Sequence, residues 1–430
     1  MRRLIRLHFL LISIASLSAR LEAQDLAGQW QGMLHPGPGD LRIVLQISKT
    51  ATGRWVGAMY SIDDDPDAWV FSSVTVDGSS FRYSVDSVRG AYEGQISKDG
   101  ASIVGLWTLG REQPLPLEFR RAGKETAWTI PKQHKVQFIG VENDVQLEVL
   151  DWGGSGRSLV FLAGLGGTAH VFDRFAPKLT GSYHVYGITR RGFGNSSKPA
   201  IGYSADRLGD DVLAVIDALK LDKPVLVGHS IAGEELSSVG SRHPEKVAGL
   251  IYLDAGYSYA YYDREHGGLD TDLAEFKRKL DQFQGNSTYD RKAVQDILQT
   301  LPAFERALRG RLAEIDTMPT SMLPSQTSSP VPAPLLNVLA GEEKYTEIPV
   351  PILAIYAIPH NLGSMPGVDA AKLAAFEALD EITTGTQAKA FEDGVPTARV
   401  VRLKHASHAV YVSNEADVLR DMNLFLTRLH

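Results

Sequence analysis

The chain has 430 residues, 43% of them hydrophobic and 22% charged, with a formal net charge of −7 and no cysteine. That length is more than one ordinary hydrophobic core accommodates and predicts two domains. The lack of cysteine excludes disulfides, thiol catalysis and thiolate metal sites, and an acidic chain without a Lys/Arg cluster excludes a nucleic-acid binder of the usual basic kind.

Residues 1–23, MRRLIRLHFLLISIASLSARLEA, place Arg2, Arg3 and Arg6 before a short apolar run and end in small residues at Ala23. This is the pattern of a cleaved secretory signal, with an apolar core short for a bilayer span. It predicts a periplasmic or secreted protein with no stable membrane insertion after cleavage.

Residues 25–121 read as short strands. LRIVLQI alternates Leu41, Ile43, Leu45 and Ile47 with Arg42, Val44 and Gln46, and FRYSV repeats the alternation with Phe81, Tyr83 and Val85. A period of two marks a strand with one buried face, and Asp77-Gly78 and Asp99-Gly100 are turn pairs between such runs. About eight strands fit this stretch, which predicts a small antiparallel barrel or sandwich. It holds no acid–base constellation, so it reads as a structural or oligomerising module before a ligand pocket.

Residues 122–133, AGKETAWTIPKQ, read as a linker to a second domain over 134–430. There QFIGV and VQLEVLDW suggest a strand pair. SLVFLAG, YHVYGIT, PVLVGHS, AGLIYLD and VPILAIYA are apolar strands, separated by helical stretches such as RLGDDVLAVIDALK and EELSSVGSRHPEKV. Buried strands alternating with helices predict an α/β fold with a mostly parallel sheet covered on both faces. About residues 256–349 interrupt this rhythm with polar, helix-like sequence, including EFKRKLDQF, AVQDILQTLPAFERALRGRLAEI and the Pro-rich LPSQTSSPVPAP. An insertion of that length predicts a helical cap over the site.

In PVLVGHSIAGEELSSVG, residues 224–240, a strand gives way to a helix at Ser230. A serine at such a turn is forced into a strained backbone and projects its hydroxyl from the sheet edge. Gly228, Ala232 and Gly233 are the small neighbours that so tight a turn needs. The spacing is G-x-S-x-A-G, with alanine where the usual elbow pattern has its second glycine.

With that elbow in its strand–helix context, residues 134–430 resemble the α/β-hydrolase superfamily, while the N-terminal β-rich part lies outside the resemblance. The resemblance places the oxyanion loop at Ala163-Gly164-Leu165-Gly166-Gly167 and its two donors on the backbone N–H groups of Leu165 and Ile231. It matches YGITRRGFGNSSKP, residues 186–199, to the family's D-x-R-G-x-G-x-S stretch, with Thr189 where an Asp is common. Its base, in the segment after the last strand, aligns with His408, with His405 as the rival. The acid most relatives carry after the strand equivalent to VPILAIYA is missing, because AIPHNLG offers Pro359 and His360. A minority use the end of the preceding strand, which here is Asp254; Asp369, Glu377, Asp380 and Glu381, in the 360–397 loop, are the alternatives.

The implied activity is that of a capped serine hydrolase acting on a small or medium carboxylic ester through an acyl-enzyme, with neither metal nor cofactor. Ser230, His408 and Asp254 keep the family's order of nucleophile, acid and base. The same set would serve an aminopeptidase, a carbon–carbon hydrolase or a perhydrolase, and a non-catalytic ligand-binding protein on this fold is the reading of a different class. Glu234 and Glu235 read as complements to the helix dipole. Tyr257, Tyr259, Tyr261 and Tyr262 read as pocket lining or as anchors of the cap.

Overall fold

The computed structural model describes all residues except 1–24, 37–39, 51–52, 63–64, 111–112, 129–133, 286–289, 318–331, 364–369 and 430. The expected signal segment, the end of the linker, most of the Pro-rich hinge and Asp369 lie outside the described residues. The chain divides into two compact units, residues 1–64 with 71–129, and residues 65–70 with 130–430.

The N-terminal sheet has nine strands: β1 (Gly28–Leu34), β2 (Leu41–Lys49), β3 (Trp55–Ser61), β4 (Asp65–Val70), β5 (Ser73–Asp77), β6 (Ser80–Val85), β7 (Gly90–Ile96), β8 (Ser102–Leu109) and β9 (Leu115–Arg121). Their spatial order is β4-β3-β2-β1-β9-β8-β7-β6-β5, an antiparallel sheet curled into a half-barrel. The sheet thus has nine strands where about eight are expected; β4, DPDAWV, contains Pro66, which cannot donate to a ladder, and lies at a sheet edge where that is tolerated. The alternation in β2 holds for Ile43, Leu45 and Ile47, all buried, but Val44 on the other face is buried too. Within this sheet Phe71 stacks on Tyr83 and Tyr83 on Tyr92. The buried Tyr92 hydroxyl donates to the Leu117 carbonyl at 2.9 Å, so its burial leaves no unpaired polar atom.

The second unit contains β10 (Lys135–Glu142), β11 (Val145–Gly153), β12 (Ser158–Leu162), β13 (His184–Ile188), β14 (Val225–His229), β15 (Gly249–Leu253), β16 (Ile352–Ala357) and β17 (Ala398–Leu403). They are ordered β10-β11-β13-β12-β14-β15-β16-β17, antiparallel at β10 and β11 and parallel from β13 to β17. Each apolar run divides its side chains between two cores. Leu159, Phe161, Val225 and Val227 join one cluster, and Val160, Leu162 and Leu226 join the other. Both faces are buried, which is why these strands read as unbroken apolar runs.

Helices α1 (Ala205–Ala218), α2 (Gly233–Arg242), α3 (Leu269–Gly285), α4 (Arg291–Thr317), α5 (Ala333–Leu339), α6 (Ala370–Gly394), α7 (Val410–Ser413) and α8 (Glu415–Leu426) complete the unit. Ser204 caps α1 by accepting the Arg207 N–H. The insertion between β15 and β16 carries α3, α4 and α5, with Phe276 stacked on Phe304 between the first two. The reading of 360–397 as a loop is corrected: 370–394 form α6. Its Ala-, Leu- and Lys-rich start has high helix propensity, which Thr383, Thr384 and Gly385 obscure in the sequence.

Strand order reverses at β12, which lies between β13 and β14. In an open α/β sheet the crevice at the carboxyl ends of such neighbours is where ligands bind. Leu162 pairs with Gly228, so the loop after β12 and the turn after β14 leave the sheet side by side.

Candidate active site

Ser230 follows β14 directly and has φ +55°, a left-handed conformation that a side chain adopts only under constraint. The constraint is close packing. A Cβ on Gly228 would sit 3.2 Å from the Ala232 Cβ and 2.7 Å from Leu236 Cδ1, so alanine at 232 is accommodated because 228 is glycine. A Cβ on Gly233 would meet the Ala255 carbonyl oxygen at 2.0 Å, which ties the first turn of α2 to the end of β15. Gly233→Ala is expected to destabilise the domain by about 1–3 kcal/mol, the usual result of overpacking. Chemical denaturation of the variant beside its parent measures this.

Asp254 ends β15, also at positive φ (+49°), and is 0% exposed. Four donors converge on its carboxylate. His408 Nδ1 and His360 Nε2 each lie 2.7 Å from Oδ2, while the Tyr257 hydroxyl and the Ala357 N–H reach Oδ1 at 2.9 and 3.0 Å. Burial alone would raise the Asp254 pKa, but the hydrogen bonds and charge of His360 and His408 overcome it and hold the carboxyl at about 2. Because an ionised carboxylate only accepts, His408 carries its proton on Nδ1, and the neutral ring presents a bare Nε2. That is the tautomer a general base needs.

His229, the residue before Ser230, packs its ring 4.7 Å from that of His408. Its Nε2 lies 3.1 Å from the His408 carbonyl oxygen and must be the donor. Burial, with the neighbouring His408, pushes the His229 pKa down to about 4, so this ring is neutral near pH 7. The structure thus joins the His408 loop to the end of β14, the strand that precedes Ser230. A Cβ placed on Gly164 would lie 3.1 Å from Ser230 Cβ, so the β12 loop passes directly over the serine. Leu165 and Ile231 share one apolar cluster with Phe193, Leu208 and Val338. Neither of their N–H groups is taken up by a turn or loop carbonyl among the described residues.

Arg190 locks this loop in place. Its guanidinium binds Glu235 at 2.5 and 2.7 Å and donates to the carbonyls of Ala163 at 3.0 Å and Gly164 at 3.4 Å. Glu235 is therefore an ion-pair partner of Arg190 at the start of α2, beyond complementing the helix dipole. Glu234 is fully buried and neither carboxylate oxygen has a hydrogen-bond partner among the described residues. Burial drives its pKa well up, so it is held as the neutral acid.

The family model for the alpha/beta hydrolase fold matches residues 157–329, the stretch holding the β12 loop, the elbow and β15. The second unit has the α/β-hydrolase fold. It is 34% identical over 155 residues to a 2-hydroxymuconate semialdehyde hydrolase of a Pseudomonas species, covering 34% of this chain and 53% of that one. It is 29% identical over 101 residues to the 2-(acetamidomethylene)succinate hydrolase of Mesorhizobium japonicum, 24% of this chain and 36% of that one. A pimeloyl-[acyl-carrier protein] methyl ester esterase of Aeromonas hydrophila is 23% identical over 282 residues, 64% of this chain and 96% of that one. The first two matches thus span only a third to about half of those relatives.

Within this α/β-hydrolase domain the remaining candidates fall into place. Thr189, where relatives often carry Asp, donates to Glu148 Oε2 at 2.8 Å, so a carboxylate from β11 serves that corner. His405 is exposed; its backbone N–H donates to the Pro359 carbonyl. Of the tyrosines, Tyr262 donates to Asp272 of α3 at 2.6 Å and Tyr261 packs on Phe391, both anchoring roles, while Tyr257 holds Asp254. Among the described residues two groups could offer metal ligands, Asp254/His360/His408 and His134/His170/Asp173. In both the shortest N···O distance is 2.7 Å, a hydrogen-bond length, whereas ligands on a tetrahedral zinc lie about 3.3 Å apart. Both groups are spent on hydrogen bonds.

The roles of His360 and Arg190 escaped the sequence reading, and Asp380, one of the alternatives for the acid, instead faces His360. Asp380, on α6, accepts the His360 N–H at 2.6 Å and faces its Nδ1 at 3.0 Å. The one available signal was His360 standing where relatives carry the acid.

Proposed function

We propose that the protein is a serine hydrolase cleaving a small or medium carboxylic ester through an acyl-enzyme, beneath a cap formed by about residues 256–349. The observation that carries this reading is the 2.7 Å hydrogen bond from His408 Nδ1 to a fully buried Asp254, beside the strained elbow that carries Ser230. His408 Nε2 takes the Ser230 proton as Oγ attacks the ester carbonyl. The N–H groups of Leu165 and Ile231 hold the tetrahedral oxyanion, each such donor contributing about 3 kcal/mol to the transition state. His408 then protonates the leaving alcohol, and water, activated by the same imidazole, releases the acid.

A second reading, carbon–carbon bond hydrolysis, is favoured by the 34% identity to a protein named 2-hydroxymuconate semialdehyde hydrolase. A panel of p-nitrophenyl esters set beside 2-hydroxymuconate semialdehyde separates the two. The ester reading predicts a burst of p-nitrophenol and steady turnover of the acetate or butyrate, with kcat/KM above that for the semialdehyde. The reverse order assigns the protein to carbon–carbon cleavage.

A further inference from the structure

In most relatives the residue after the strand equivalent to β16 is the acid; here it is a base. His360 Nε2 is 2.7 Å from Asp254 Oδ2, and its Nδ1 is 3.0 Å from each oxygen of Asp380, whose carboxylate also accepts the His360 backbone N–H. Thr384 donates to the same Asp380 at 3.2 Å, fixing it from within α6. Both ring nitrogens of His360 thus face carboxylates, and a carboxylate only accepts, so both must carry protons. His360 and His408 share one acceptor oxygen, with ring centroids 6.0 Å apart.

Resting on the serine-hydrolase reading, we propose that His360 is a positioning residue, held as an imidazolium between Asp254 and Asp380 so that its charge sets the basicity of His408. A carboxylate favours the charged form of an imidazole hydrogen-bonded to it. A fixed cation on the same carboxylate opposes that, leaving His408 free to accept the serine proton at lower pH. Burial works against charge on His360, yet its bonds to Asp254 and Asp380 raise its pKa to about 9, so the cation persists across the neutral range. The other groups facing this cluster are Tyr257, whose oxygen lies 3.4 Å from His360 Nε2, and the neutral His229 ring against His408. The buried Tyr259 and Tyr356, near Asp254, have pKa values raised well above the ordinary value by burial and stay uncharged.

The test compares His360→Gln, which removes the charge, with His360→Lys, which keeps it. The acidic limb of kcat/KM for p-nitrophenyl acetate is expected to move up by about one to two pH units in His360→Gln, the size of a unit charge lost at this distance. In His360→Lys it is expected to stay near the parent's. The His408 ring resonance, titrated by NMR in the Ser230→Ala background, should shift likewise and needs no turnover. In the unmutated protein, nitrogen resonances of His360 should show both ring nitrogens protonated from pH 6 to 8. A neutral His360 tautomer there, or a His408 titration in His360→Gln unmoved within about 0.3 unit, overturns the proposal. A rate that falls equally at every pH marks a structural role and also overturns it. A shifted resonance in a protein that hydrolyses no ester supports the His360 assignment and counts against the ester reading.

Discussion

Ser230→Ala is expected to lower ester kcat by about 10⁶-fold, the size of effect seen when the nucleophile of a comparable triad is removed. Alanine keeps the Cβ that the positive-φ position already tolerates and removes only the oxygen, so the elbow should stay intact. The proposed oxyanion donors, the Leu165 and Ile231 N–H groups, are backbone groups that the substitution leaves in place, so a small residual rate from binding and polarisation is expected. Steady-state kinetics with circular dichroism as a folding control measures this. A variant within tenfold of the parent would mean that the hydroxyl is not the attacking group.

Asp254→Asn is expected to lower kcat by about 10⁴-fold while the fold persists. The reason lies in the direction of the four hydrogen bonds. Two donors, the Tyr257 hydroxyl and the Ala357 N–H, point at Oδ1, and two imidazole nitrogens point at Oδ2. An asparagine that keeps its oxygen toward the backbone N–H must turn its NH2 toward the two rings. His408 would then hold its proton on Nε2 and present Nδ1 to the amide, the tautomer that cannot accept from serine. The loss should therefore appear in kcat, with KM changed little, because the Asp254 side chain is fully buried. Activity near the parent's would transfer the acid's role to another carboxylate.

The parts of this fold that were legible from sequence are those written in local periodicity. Alternation in LRIVLQI and FRYSV marks strands because one face of each is buried. SLVFL and VLVGH mark parallel strands because both faces are. Ser230 stood out because a hydroxyl between a β-branched run and a helix needs small neighbours, and those are visible in the letters. The approach of Asp254 and His408 was suggested by the absence of a carboxylate after β16 and the chain order of the segments. No local pattern encodes the rest. Asp380 meets His360 only because α6 packs beside β16 and turns one of its several acids inward, and an acid-rich helix does not announce which one. Arg190 and Glu235 lie 45 residues apart, and their pairing depends on the β13 loop and α2 meeting over the β12 loop.

The strand count shows the same limit from another side. DPDAWV contains proline and two aspartates, a composition that argues against a strand, yet an edge position makes that composition tolerable. An edge is a property of the finished sheet, so the segment alone could not disclose it.

Mass spectrometry after exposure to a fluorophosphonate tests the central claim most directly. The account predicts one stoichiometric adduct, on the peptide carrying Ser230, formed quickly in the parent and at a rate lower by orders of magnitude in His408→Ala. An adduct on another residue, no adduct at all, or labelling of Ser230 that ignores the loss of His408 would contradict it.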